Sequence, residues 1–426
     1  MENKDEQKRL KPTLGLWDAT AINVGAIIGG GIFVVTGIVA GLAGSGLVVS
    51  MVFAGVIALF TALSFAELSA WQPVEGSVYE YARQLVSPFS GFLTGWMWMI
   101  SNIFGGAAVS LGFAYYFTAA FPVLPVNVVA AVVCLGFTAL NFVGVRQSAV
   151  LNNVLVAVKL VVLGFFVVFG LFFVKVGNFA PFVPFGGGVL FGTYFIFFAF
   201  GGFARAAVVA EEVKDARRVV PMAVLLSLGI STVVYVLVGV VAVGLVGSGG
   251  LAGSNSPLTF AIGASGSSLA MQVVSVGGLV ATASVLLTSV LGVSRMAFSM
   301  ARRRDMPDVL CRVHGRFGTP YVSIWIVGVL MALLVLFVDL TGVVVVSTFA
   351  MLFGYLFANL AAFRLRCENR VYPRFIPVVG FITCLVLLAV VFVVAPLAWV
   401  AGVACLVVGA VYFYVRKARF KREVEM

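Results

Sequence analysis

Apolar residues run along this chain in long unbroken blocks, separated by short stretches that collect the charge, glycine and proline. A helix that crosses a bilayer needs about 20 predominantly apolar residues. Twelve stretches qualify, at about 15–42, 46–70, 91–119, 123–143, 150–174, 189–210, 221–246, 269–299, 320–338, 343–364, 374–394 and 396–415. The pattern predicts an all-α polytopic membrane protein with about twelve transmembrane helices. An even count leaves both termini on one side. With the amino terminus inside, the inner segments carry 23 of the 27 Lys and Arg residues and the outer loops carry only Lys175. By the positive-inside rule both termini are cytoplasmic, which predicts a multi-pass protein of the cell membrane.

Two of the blocks are interrupted. The first contains Gly25-Ala26-Ile27-Ile28-Gly29-Gly30-Gly31-Ile32-Phe33, and the sixth contains Phe197-Phe198-Ala199-Phe200-Gly201-Gly202-Phe203. Glycine costs about 1 kcal/mol relative to alanine inside a helix, so such runs predict breaks. Broken backbone is tolerated at membrane depth only where protein or a water-filled cavity satisfies the freed groups. Gly-interrupted segments at matching places in two halves of a chain point to the binding site of a secondary transporter.

Composition agrees: 62% of residues are hydrophobic, 10% are charged and the mean hydropathy is +1.15, whereas soluble domains are about one-quarter charged. The segment from Met1 to Lys11 is charged and too long for a signal-peptide n-region, so no removable leader is expected. The net charge of +11 follows the inner loops, and no nucleic-acid partner is expected. Cys134, Cys311, Cys367, Cys384 and Cys405 are scattered, His314 lies alone in a basic loop, and neither a disulfide framework, a metal site nor a cofactor is indicated. No nucleophile–base pair suggests an enzyme. Residues 71–90 form an inner connection with room for a short re-entrant piece, and 247–268 form the longest outer loop, with room for a short helix.

Several motifs carry a family resemblance. Gly25-x-x-x-Gly29-Gly30-Gly31-Ile32-Phe33 resembles the helix-1 signature of the amino acid–polyamine–organocation (APC) superfamily. Phe65-Ala66-Glu67-Leu68-Ser69 with Pro73-x-x-Gly76-Ser77-x-Tyr79, the stretch from Ala210 through Glu211, Glu212 and Lys214 to Pro221, Ser294-Arg295, Arg304-Asp305-Met306-Pro307 and Gly318-Thr319-Pro320 are similar to later motifs of its amino acid permeases. The resemblance implies a five-plus-five inverted repeat, with helices 1–5 in 15–174 and helices 6–10 in 189–366. Helices 1 and 6 are then discontinuous. Two peripheral helices follow in 372–415, between cytoplasmic tails at 1–14 and 416–426.

On that reading the amides of Gly30, Gly31 and Ile32, with Gly29, open a half-helix whose positive end suits a carboxylate. The carbonyls of Ile27, Phe198 and Gly201, beside Gly202, accept from an ammonium group. The alternative is close helix packing through small residues. By family position Ser101, Asn102, Gly106 and Phe198 form pocket walls, and Phe198 doubles as a lid. Lys159 lies in mid-span, where an ionisable residue is a functional hypothesis by default. The resemblance implies proton coupling there, with Gly25 and the hydroxyls of Ser284 or Thr288 as neighbours; a fixed structural cation is the alternative. Ala204 stands where many relatives carry an acid. Arg205 then serves as a gate, as a site for an acidic side chain, or as a structural partner of backbone carbonyls or Glu67.

Asp18, Glu67, Glu211 and Asp339 all fall towards segment ends, so a substrate with a neutral side chain is expected. The Arg302–Arg304 cluster reads as a solvated loop against anionic lipid headgroups. Together these features predict an amino acid transporter working by alternating access. Proton symport is the first reading; exchange without an ion, or a non-transporting amino acid sensor, are the alternatives.

Overall fold

The computed structural model describes residues 13–425 except 73–77, 123, 145–148, 184–185, 204, 206–212 and 367–369. Most of the expected 1–14 tail, Pro73, Gly76 and Ser77 of the inner-loop motif, Ala204, Ala210, Glu211 and Glu212 therefore lie outside the described residues, as do Cys367 and Met426.

Helices make up the regular structure of the described residues. They are α1 (Leu16–Ile27), α2 (Thr36–Ala43), α3 (Leu47–Trp71), α4 (Val78–Leu85), α5 (Pro88–Ala120), α6 (Val126–Val143), α7 (Ala149–Leu171) and α8 (Gly187–Phe197). After the second break come α9 (Ala216–Ala252), α10 (Pro257–Gly263), α11 (Ser268–Arg302), α12 (Tyr321–Phe337), α13 (Leu340–Arg364), α14 (Phe375–Val394) and α15 (Pro396–Glu425). Nine helical stretches among the described residues are long and apolar enough to cross a membrane, the first being Leu16–Trp71, which runs through α1, α2 and α3. Two shorter apolar helices, Gly187–Phe200 and Tyr321–Phe337, accompany them.

Because both ends of each block are polar, the helix limits fall close to those the hydrophobic pattern predicts, and the differences lie in the connections. The outer loop expected at 247–268 is mostly helical: α9 bends at Gly247 (φ 72°, ψ 166°) and continues to Ala252, and α10 follows. The inner connection holds α4, whose Val78, Tyr79, Glu80, Tyr81 and Ala82 are buried. The expected 416–426 tail continues α15 as helix to Glu425, where Lys, Arg and Glu are good helix formers.

Packing sorts the helices. α1 lies between α7 and α9, while α5 packs on both α11 and α13. Two fully buried tyrosines find backbone acceptors within the bundle, as hydrocarbon favours: Tyr116 donates to Phe33 O at 2.7 Å and Tyr194 to Val345 O at 2.7 Å. α15 sits at the edge, tied to α5 where Trp96 Nε1 donates to Cys405 O at 2.9 Å. Its outer stripe, Leu397, Val400, Val407, Val408, Val411, Tyr414 and Val415, is exposed.

Candidate functional site

The first break begins at Ile28, which leaves the helix at φ −77°, ψ 90° while its N–H still bonds Val24 O at 2.7 Å. Helix resumes at Gly30 and widens into a π-helical turn over Gly31–Val35. The second break follows α8: a tight turn over Phe198–Phe200, then Gly201 at φ −70°, ψ 75°. The two breaks touch. A Cβ on Gly31 would lie 2.5 Å from Ala199 Cα, and one on Gly202 would lie 2.5 Å from the Ala26 carbonyl carbon. Only glycine allows backbones to approach so closely. Between them the buried Tyr235 hydroxyl reaches Ile27 O at 2.7 Å and Ala199 O at 3.0 Å, so one hydroxyl links the carbonyls of both breaks.

Beside the breaks is a cavity of about 90 Å³. Of the residues expected from sequence, Ile27, Gly29, Gly30, Gly31, Ser101, Asn102, Phe198, Gly201, Gly202, Arg205 and Thr288 line it. Ile32 does not; it is fully buried in the core beside the π turn. Gly106 does not either, because it faces α12, where a Cβ would meet Met331 at 2.7 Å. Gly105 takes its place, as the helical spacing of Trp98, Ser101, Asn102, Gly105 and Val109 requires. That spacing was the overlooked signal on α5, and Ser347, Met351 and Tyr355 repeat it on α13. Ser101 and Ser347 tie these two walls, each hydroxyl donating to the other's carbonyl at 2.9 and 2.7 Å.

Arg205 is the charged residue among the described cavity lining. Its guanidinium donates to Asn102 Oδ1 at 2.5 Å and lies 5.4 Å from the Trp98 ring centre. Glu67 is not its partner: that buried carboxylate accepts the N–H groups of Val371 and Tyr372 at 3.1 and 2.9 Å. Asp18 sits in the first turn of α1 and Asp339 caps the start of α13, and both accept backbone N–H groups.

Lys159 lies outside the cavity, 1% exposed, and its Nζ donates to Gly25 O at 2.9 Å, one turn before the first break. The expected hydroxyl neighbours are engaged elsewhere. Ser284 donates to Ala281 O at 2.9 Å and Thr288 to Val285 O at 2.9 Å, both on their own helix, and among the described residues no hydrogen bond joins either to Lys159. A lone serine or threonine in an apolar helix readily bonds the preceding turn, which competes with a partner across the bundle.

The Arg302–Arg304 cluster is exposed, as a solvated loop would be, and also makes contacts with protein. Arg303 pairs with Glu80 on α4 at 2.8 Å, Arg302 lies over the Phe298 ring, and Arg304 O accepts from Arg416 at 2.7 Å. Next to it Asp305 accepts from Tyr79 at 2.5 Å and from Arg83 at 2.6 Å. Burial and that carboxylate raise the Tyr79 phenol above its ordinary range.

The family model for amino acid permeases matches residues 14–413, a span that includes both breaks, the cavity and Lys159. The chain belongs to the amino acid permease family. This permease is 36% identical over 431 residues to an uncharacterized transporter of Mycobacterium tuberculosis, covering 99% of this chain and 95% of the relative. It is 32% identical to the branched-chain amino acid permease BcaP of Bacillus subtilis, over 96% of this chain and 93% of that one. Cationic amino acid transporter 4 of Mus musculus is 33% identical over 88% of this chain, which spans 62% of that relative.

Proposed function

We propose that this permease carries amino acids with neutral side chains across the cell membrane by alternating access, coupled to proton entry through Lys159. The observation that carries the reading is the pair of touching helix breaks beside one cavity. Amides at Gly30 and Gly31 suit the substrate carboxylate, and carbonyls near Ile27, Phe198 and Gly201 suit its ammonium. Helix termini aimed at a mid-membrane cavity are how such folds bind zwitterions. The neutral side chain is supported by the described lining, which holds Arg205 and no carboxylate. A second positive charge would be buried there unpaired. The cavity of about 90 Å³ is several times the roughly 10–15 Å³ that one water requires, in keeping with a small substrate.

The proposed topology has twelve crossings with both termini cytoplasmic. Leu16–Trp71 supplies two of them, and the short apolar helices of residues 187–200 and 321–337 cross as well. Helices of 15–174 and 189–366 form the inverted halves, with α14 and α15 peripheral. Exchange without an ion is the second reading, favoured by one observation: the bond from Lys159 to Gly25 O is also what a fixed structural cation would make.

Uptake into proteoliposomes from a panel of labelled amino acids, with and without an inward proton gradient, separates these readings. Gradient-stimulated uptake of small or aliphatic members, with the stimulation lost in Lys159→Ala, is the expected result. Uptake that ignores the gradient and requires substrate on the far side would establish exchange. Binding without flux would leave a sensor.

A further inference from the structure

The seam between α1 and α7 carries polar groups that lie outside the cavity. Asp18 and Gly25 are seven residues apart on one face of α1, about 10.5 Å along the axis. On α7 the facing positions are Asn152, Asn153 and Lys159. At the start of the seam Asn153 Nδ2 donates to Asp18 Oδ1 at 2.9 Å, while Asp18 Oδ2 accepts the Gly15 N–H at 3.0 Å. At its deep end Lys159 Nζ donates to Gly25 O. Between them the Asn152 amide oxygen lies against Gly25, 3.2 Å from where a Cβ would stand. Asn152 Nδ2 and Asn153 Oδ1 are buried and have no partner among the described residues. Buried amide groups left unpaired by protein are commonly completed by water. One donor and one acceptor, lying between a carboxylate and an ammonium, are placed to orient a short water chain.

We propose that this seam is the cytoplasmic proton exit of Lys159, with Asn152 and Asn153 orienting its waters and the Asp18 carboxylate as its terminal acceptor. The proposal rests on proton symport and on the cytoplasmic amino terminus set out above. In the step, one Nζ–H bond of the Lys159 ammonium breaks and its proton passes to a water. That water hands a proton to the next, and an O–H bond forms on Asp18. The carboxyl then releases its proton to cytoplasmic water. The neutral amine keeps two N–H bonds, one of which still serves Gly25 O, so the chain ends one proton lighter with the α1–α7 contact intact. The asparagines carry no charge in the step and act as positioning residues.

The other titratable groups around the seam are few. Lys214, whose N–H donates to Leu14 O at 2.9 Å, lies near enough to act on Asp18. α9 contributes Arg217 and Arg218 at its first turn and Tyr235, whose hydroxyl serves Ile27 and Ala199. α11 contributes Arg295 and Arg302 near its end, and α7 has Lys159 alone.

The test compares two fluxes in proteoliposomes loaded with a pH-sensitive dye, using an equimolar mixture of labelled alanine, serine and leucine. Net uptake driven by an inward proton gradient needs proton release on each cycle; counterflow at equal pH does not. Asp18→Asn keeps an oxygen for the Gly15 N–H and removes the acceptor. Asn153→Leu keeps the volume and removes the amide. In both, gradient-driven uptake and dye response are expected to fall about a hundredfold or more, the scale of a lost proton-transfer group, with counterflow within about twofold. Asp18→Glu is expected to retain both fluxes. Full gradient-driven uptake in Asp18→Asn and Asn153→Leu overturns the exit, and so does an equal loss of both fluxes, which would mark a structural seam. A wild type without gradient stimulation overturns the parent symport reading instead, and is recognised before any variant is made.

Discussion

The two helix breaks do the same geometric job with different materials. The first is made of one extended residue, Ile28, and a glycine run in which Gly29 faces Val285, Gly30 faces Val109 and Gly31 meets the Ala199 backbone of the second break. It offers the cavity little besides amides and carbonyls. The second is a tight turn ending at Gly201, where a Cβ would meet the flexible end of Met351. Four residues on comes Arg205, clasped by Asn102 and Trp98. Both breaks demand glycine where they touch, at Gly31 and Gly202, but only the second has slack, at Gly201, and carries side-chain chemistry through Arg205. A zwitterion common to all amino acids suits the first; discrimination and gating suit the second.

The contrast can be broken most directly at Gly31. Gly31→Ala places a methyl 2.5 Å from Ala199 Cα, and overpacking against backbone costs towards about 3 kcal/mol. Uptake of every substrate is expected to fall about 100-fold, measured as initial rate in proteoliposomes. A loss confined to large substrates would show that the first break reads side chains after all. Tyr235→Phe removes the hydroxyl shared by Ile27 O and Ala199 O. Leaving buried acceptors unpaired costs about 1–3 kcal/mol, expected as a thermal midpoint lower by several degrees and a clear loss of uptake; an unchanged midpoint would mean the breaks do not depend on that link.

Arg205→Gln sharpens the other side. If Arg205 gates, uptake drops about tenfold while substrate affinity stays within about twofold, a cost near 1.4 kcal/mol in the transport step alone. Isothermal titration beside flux separates this from lost recognition, in which affinity falls with uptake. The smallest effect is expected at Gly201→Ala, whose obstacle is a methionine tip that can repack. Uptake should change less than about threefold, and a loss as large as that of Gly31→Ala would erase the distinction between the breaks.

Much of this arrangement is legible along the chain. Apolar block lengths give the helices, because the hydrocarbon thickness dictates them, and the glycine runs give both breaks, because little else interrupts such blocks. Lys159 meets Gly25 as the family resemblance implies. What the sequence did not disclose depends on helix rotation and on competition for hydroxyls. Gly105 and Gly106 are adjacent and equally small, and only the azimuth of α5 decides which faces the cavity. Ser284 and Thr288 donate to carbonyls of their own helix rather than meeting Lys159. Arg205 and Glu67 carry opposite charges, yet each is satisfied by a closer uncharged group: an amide oxygen for one, two backbone N–H groups for the other. The Asp18–Asn153 contact joins residues 135 apart, and neither helix has a local pattern that announces it.

The exposed stripe on α15 measures something the cavity cannot. From Leu397 to Val415 it presents apolar side chains over about 27 Å of helix, close to the thickness of a bilayer's hydrocarbon core, about 30 Å. A helix anchored to the bundle mainly along α5 and α13 has limited freedom to tilt, so this edge acts as a ruler. Acyl chain length in the surrounding lipid would then load the protein first where α15 meets the arginine cluster, at the bond from Arg416 to Arg304 O.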